Sequence, residues 1–190
     1  SNAITIDGNF NINPTASSVL ALTVNMGAAI TVGATKTTTI TRTTSATSNL
    51  DTTGTNYALS TGLLDIATGG TLTANGSTVT LTGTTGTLFT RTGTFTQGTS
   101  TVTMNPDAAV TLTSGTITFN NLTLSPTITA ARTYTFGSGA LTIDGNFNIN
   151  PTASSALALT VNMGAAITVG ATKTTTITRT TSATSNLDTT

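Results

Sequence analysis

The chain has 190 residues, six basic and six acidic, for a net charge of zero, and it contains neither histidine nor cysteine. That excludes the usual zinc sites, a Ser–His–Asp triad, a thiol nucleophile and a disulfide framework. Six scattered basic residues make no electrostatic footprint for nucleic acid, and no apolar run approaches the ~18 residues of a membrane span. All six acids are aspartate (7, 51, 65, 107, 144 and 188), and 55 of the residues are threonine. Apolar residues at 36%, with 18 glycines, still leave enough to bury a core.

Ser1-Asn2-Ala3 reads as a remnant of tag cleavage and is set aside. From Ile4 an internal repeat governs the chain. Residues 4–53 recur as 141–190, with Leu141 for Ile4 and Ala156 for Val19 as the two differences. Asp7 recurs as Asp144, an offset of 137 residues. Residues 4–140 are therefore one full unit and 141–190 the first part of the next, continuous with it, and the parent protein is expected to carry many copies.

Within the unit, short apolar–Thr–apolar triplets recur in chain order: Ile4-Thr5-Ile6, Leu22-Thr23-Val24, Val79-Thr80-Leu81, Val102-Thr103-Met104, Leu122-Thr123-Leu124, Leu141-Thr142-Ile143 and Leu159-Thr160-Val161. From Val79 onward the spacings are 23, 20, 19 and 18 residues. Gly, Asn, Pro and Ser separate the triplets, as at Asn105-Pro106 and Ser125-Pro126. Period-2 alternation in β-branched residues, cut by turn signals every few residues, predicts short half-buried strands and no helix. About 20 residues per coil with three short strands predicts an all-β parallel β-helix (β-solenoid) whose coils stack roughly 4.8 Å apart. Seven coils per unit would give a rise of about 34 Å, and the whole chain a rod of about 45 Å. Tandem immunoglobulin-like β-sandwiches are the alternative. They use about seven strands of ordinary length in about 100 residues, which the very short strands oppose.

The register predicts Val79, Leu81, Val102, Met104, Leu122, Leu124, Leu141 and Ile143 inward, stacked along the axis, with the intervening Thr outward and exposed. Residues 36–48 predict a long strand with Thr37, Thr39, Thr41 and Thr43 on one side and Thr38, Ile40 and Arg42 on the other; residues 49–60 predict a looser loop that interrupts the coil.

The segments 141–150 (LTIDGNFNIN), 93–104 (GTFTQGTSTVTM) and 118–124 (TFNNLTL) resemble the tandem β-solenoid repeats of bacterial surface proteins, filamentous-haemagglutinin-like adhesins and autotransporter-type stalks. The resemblance covers residues 4–190 and implies an elongated, extracellular, non-enzymatic protein with no catalytic residues to carry over.

Four candidate sites come from the residues themselves. Asp7-Gly8-Asn9-Phe10-Asn11-Ile12-Asn13 and its copy at 144–150 place oxygen side chains at alternate positions, as a calcium loop begins. An EF-hand would need glycine at its sixth position and glutamate at its twelfth, where Ile12 and Ala16 stand. The simpler reading is a strand with Phe10 and Ile12 inward and the asparagines outward, turning at Pro14. Asp65 and Asp107 are the candidate carboxylate pair for glycoside hydrolysis, which needs a separation of about 5–10 Å; turn and cap duty is the simpler role. Thr80/Thr82 and Thr111/Thr113 carry the Thr-x-Thr spacing of an ice-binding face, against a plain β-propensity role. Lys36 and Lys173 are the candidate isopeptide donors, opposed by the absence of any glutamate. None is taken as a catalytic, cofactor-binding or metal-binding residue, and no cofactor is expected.

The resulting expectation is a structural stalk or spacer whose partners are neighbouring repeats of the same protein, without nucleic acid or membrane insertion. The alternative is a binding module whose outward Thr and Asn contact glycans, ice or another surface. Cutting a solenoid at Ile4 and Thr190 is also expected to leave sticky ends and to favour end-to-end self-association.

Overall fold

Residues 2–16 and 18–189 are described by a computed structural model, in which the chain winds as a parallel β-solenoid of three faces. The first face is an eight-stranded sheet of β1 (Ile4–Ile6), β5 (Ile30–Val32), β9 (Leu59–Thr61), β12 (Thr78–Leu81), β15 (Thr101–Met104), β18 (Asn121–Leu124), β21 (Phe147–Ile149) and β25 (Thr175–Ile177). The second is an eight-stranded sheet of β2 (Phe10–Ile12), β6 (Thr37–Ile40), β10 (Leu63–Ile66), β13 (Thr87–Arg91), β16 (Val110–Thr113), β19 (Arg132–Phe136), β23 (Ala158–Met163) and β27 (Thr184–Asp188). The third holds two sheets in succession. One contains β4 (Ala21–Asn25), β8 (Thr47–Asp51), β11 (Gly70–Thr73) and β14 (Thr94–Thr96); the other contains β17 (Ile117–Phe119), β20 (Leu141–Ile143) and β24 (Ile167–Val169). Two-residue corner strands pair separately, β3 (Thr15–Ala16) with β7 (Thr43–Thr44) and β22 (Thr152–Ala153) with β26 (Thr180–Thr181).

All the strand pairs are parallel, as successive coils require, and the described residues form no helix, hence no helical membrane span. The interior strands follow the alternation read from the sequence, except β13, where a bulge buries Leu88 and Phe89 in succession. Val79, Leu81, Val102, Met104, Leu122, Leu124, Leu141 and Ile143 are all buried; Thr80, Thr103, Thr123 and Thr142 between them point outward but are half-buried rather than exposed, because their ladder neighbours flank them. The core is one apolar column running through the coils. Each coil stabilises its neighbours by completing their ladders and their apolar contacts.

The coil is longer than the triplets imply, about 26 residues per turn. Steps along the first face run from 20 residues (Leu59 to Val79) to 29 (Ile30 to Leu59), chiefly because the corners differ in length. The spacings of 19 and 18 that shorten the estimate are not full turns. Leu122 lies on the first face, Leu141 on the third and Leu159 on the second, so each step covers two-thirds of a turn. Leu141 and Ile143 accordingly stack on Ile117 and Phe119 below and Ile167 and Val169 above, not on the column of Leu122 and Leu124. Eight coils at roughly 4.8 Å give about 34 Å between first and last strands, shorter than the expected rod.

Two other expectations need correction. Residues 36–48 do not make one long strand. β6 ends at Ile40, the chain turns the corner through β7, and β8 begins at Thr47. Thr44 at that corner has φ 75°, unusual for a β-branched residue. Its hydroxyl donates to the carbonyl of Ala16 and accepts from the Ala16 amide (3.2 Å), tying the corner to the coil below. Residues 49–60 do contain a loop, 52–58, but it does not interrupt the coil, since β8 and β9 on either side of it sit in regular register. β9 lacks the apolar–Thr–apolar triplet because Thr61 fills an inward slot. It is fully buried with Thr38, whose hydroxyl donates to Thr61 Oγ1 at 2.9 Å, and Thr61 in turn donates to the Leu63 carbonyl. Gly62 alone connects β9 to β10, and a Cβ there would lie 2.2 Å from the carbonyl oxygen of Ala34, so only glycine permits this corner.

On the third face β14 and β17 belong to different sheets. Two groups close that gap. The rings of Phe95 and Phe119 lie 5.7 Å apart, with Phe89 at 5.9 and 6.1 Å from them. The Arg91 guanidinium donates to the carbonyl of Gly93 (2.9 Å) and to that of Thr116 one coil on, a substitute for the missing ladder bonds. Replacing Arg91 by glutamine should therefore cost about 1.5–3 kcal/mol, the range for hydrogen bonds from a charged donor. Hydrogen exchange of the third-face amides at 94–96 and 117–119 should rise more than that of the first-face amides.

Candidate functional site

The outward surface is where any function must act, and register determines what each face displays. On the first face one position per coil forms a continuous uncharged column: Thr5, Thr31, Ser60, Thr80, Thr103, Thr123, Asn148 and Thr176. A second column of Thr78, Thr101 and Asn121 runs beside it in the central coils. The other faces are less uniform. The second face shows Asn11, Thr39, Asp65, Thr90 and Thr113 in one column, and the third shows Asn25, Asp51, Thr73 and Thr96. There Thr73 donates to Asn49 Oδ1 at 3.0 Å and Asn75 Nδ2 to Asp51 Oδ1 at 2.7 Å, so polar side chains bond from coil to coil.

The Thr-x-Thr pairs expected from the sequence are not brought together. Thr80 lies on the first face, with Thr82 just beyond the end of its strand, while Thr111 and Thr113 lie on the second. Pairs that do align across coils are Thr78/Thr80 with Thr101/Thr103 on the first face and Thr71/Thr73 with Thr94/Thr96 on the third. The sequence missed them because alignment depends on corner lengths.

The asparagine motif is a coil-to-coil fastener. Phe147 and Ile149 are buried, and in the end coil Ile12 is buried and Phe10 half-buried. Asn9 Oδ1 accepts from the Thr37 amide at 3.1 Å, and Asn13 Oδ1 from the Thr43 hydroxyl at 2.8 Å. The second copy repeats both bonds, Asn146 with Thr174 (3.2 Å) and Asn150 with Thr180 (3.0 Å). Two of the four oxygen-bearing side chains in each copy thus accept from the next coil. Among the described residues, no three acidic, histidine or cysteine side chains converge as a metal site.

Asp65 and Asp107 are two coils apart, the first on the second face and the second at the corner after β15. Burial raises the Asp65 carboxyl above its ordinary value. Asp107 is engaged. Arg132 Nε donates to its Oδ1 at 2.7 Å, and Thr129 donates to it through its hydroxyl (2.5 Å) and amide (3.1 Å). The Arg132 hydrogen bond first, then that from the Thr129 hydroxyl, lower its carboxyl from 3.8 to about 2. Beneath this corner the buried Tyr134 hydroxyl donates to the Pro106 carbonyl at 2.7 Å, and burial raises its phenol pKa. The cluster pins one coil to the next and is structural in character. A folded pKa below the unfolded one contributes stability that is complete above about pH 4 and lost as pH falls through about 2. Melts across that window should show the parent losing this contribution while Asp107→Asn, already without it, changes less.

Lys36 and Lys173 occupy equivalent turns, after β5 and β24, each amide donating to the carbonyl of the glycine three residues before it (2.8 Å). Compared with protein-family models, curated proteins and solved structures, the chain matches none.

Proposed function

We propose that the protein is a structural spacer, a rod segment of a long repetitive secreted or surface-anchored protein, without catalytic activity. The observation that carries this reading is the joint between the two copies. Both long sheets run through it with ordinary pairing, Leu122 beside Phe147 on the first face and Tyr134 beside Val161 on the second. Copies therefore add length without a hinge, and the load is shared along a continuous core. The extracellular placement and the kinship with adhesin stalks rest on the sequence resemblance and on the neutral, hydroxyl-rich surface. Pulling single molecules between their two ends tests the reading: a spacer extends in discrete coil-sized steps after resisting load, whereas gradual extension at low force would contradict it.

The uncharged column of the first face favours a second reading, a module that contacts a regular surface such as ice or a crystalline glycan. Retention of the protein on such a surface, lost in a Thr80→Lys/Thr103→Lys variant, would replace the spacer reading. The described end coils pair on one side only and expose Ile4, Leu22 and Ile177. On the spacer reading these edges give concentration-dependent end-to-end association by light scattering, with the lateral faces inert. A strict monomer at high concentration would count against that association.

A further inference from the structure

We infer that the 137-residue unit is a screw element: each copy presents the same side chains two-thirds of a turn on, that is one face back round the rod, and orientation returns after three copies. The inference is independent of whether the rod is a spacer or a binding surface. Its basis is the strand count. Of the nineteen strands that begin at β1 and end before β20, the counterpart of β1, two are corner strands. The other seventeen, at three per coil, make five turns and two-thirds.

The second copy accordingly keeps its internal pairing and changes its face. Ile4 beside Ile30 becomes Leu141 beside Ile167, and Phe10 beside Thr38 becomes Phe147 beside Thr175. Yet β1 is on the first face and β20 on the third, and β2 is on the second while its counterpart β21 is on the first.

The corners supply a separate observation. In the first copy the broad corner with β3 lies between the second and third faces; in the second copy its counterpart β22 lies between the first and second. The unit's last coil prepares that landing. Its first-to-second corner spans residues 125–131, where the same corner three coils earlier is Gly62 alone. Thr127 pairs in parallel with Thr152, the Ile128 amide donates to the Thr152 carbonyl (2.8 Å), and the Thr152 amide to that of Pro126 (2.9 Å). A unit that returned to its starting face would meet the broad corner of the next copy with a narrow one.

One consequence is that no face keeps its composition from copy to copy. The first-face column passes from Thr123 to Asn148 and Thr176, the counterparts of Asn11 and Thr39 on the second face. A third-coil counterpart of Asp65 would follow them. Lateral features are thus displayed in three directions along a tandem array.

The chain contains no cysteine, so engineered pairs report the face directly. Adjacent parallel strands put facing Cα atoms about 4.8 Å apart, within disulfide range. Under mild oxidation of the folded full chain, Thr123→Cys/Asn148→Cys should form an internal disulfide and resist alkylation, as the control Thr80→Cys/Thr103→Cys does. Thr123→Cys/Thr142→Cys should stay fully alkylatable. Crosslinking of the 123/142 pair would put the second copy back on the face of the first and overturn the inference, as would failure of the 123/148 pair while the control closes. Spin labels at Thr80 and Asn148, three coils apart in one column, give an independent reading. About 14 Å is expected, and more than about 20 Å would overturn the inference.

Discussion

Replacing Leu122 by aspartate is expected to remove at least about 4 kcal/mol of stability. Leu122 is fully buried on the first face, between Val102 and Phe147 in the neighbouring coils. A carboxylate there has no partner and no water, and a buried charge left unpaired is among the most damaging single changes. Because each coil is the template for two others, the loss should spread along the rod as a lower midpoint for the whole transition. The adjacent outward change Thr123→Ser removes one methyl from a half-buried ladder and should cost under about 1 kcal/mol. Denaturant melts on the two variants decide the register: equal damage would mean that inward and outward positions have been exchanged.

Phe119→Ala carries the second large effect, about 3–5 kcal/mol. Its ring is fully buried and contacts Phe89 at 6.1 Å and Phe95 at 5.7 Å between centroids, geometry in which aromatic pairs add to plain burial. The three rings sit where the third face passes from one sheet to the next, so truncation opens a cavity where the third-face ladder is interrupted. A Phe119→Leu variant should recover much of the loss. If Phe119→Ala melts within 1 kcal/mol of the parent, measured against the about 3 kcal/mol minimum for such truncations, the ring cluster is not what spans that gap.

The strands were legible because alternation is local: Val79-Thr80-Leu81 reads as inward–outward–inward whatever its neighbours do. The core residues followed from that and were all found buried. What could not be read was the phase of one triplet against another, which depends on corner lengths that vary from one residue at Gly62 to eight at 150–157. The triplet spacings therefore count two-thirds turns as whole ones and place Leu141 on the column of Leu122, where the structure does not. Thr61 and Thr38 escaped for a different reason: a hydroxyl that finds a partner inside costs little to bury, so threonine does not declare its side. The asparagine motif could be placed on a strand, but its role in bonding the next coil needed the partners Thr37 and Thr43, 28 and 30 residues away. Arg91 gave no signal at all, since only the gap it bridges explains it.

The most direct test of the stacked-coil rod is a series of spin-label distances from Thr5→Cys to Thr103→Cys, Thr123→Cys and Thr176→Cys, four, five and seven coils along one column. Parallel coils predict about 19, 24 and 34 Å, rising by the same step per coil although the sequence steps are unequal. A distance that shortens as the chain advances, as when an antiparallel sandwich folds back on itself, would contradict the solenoid.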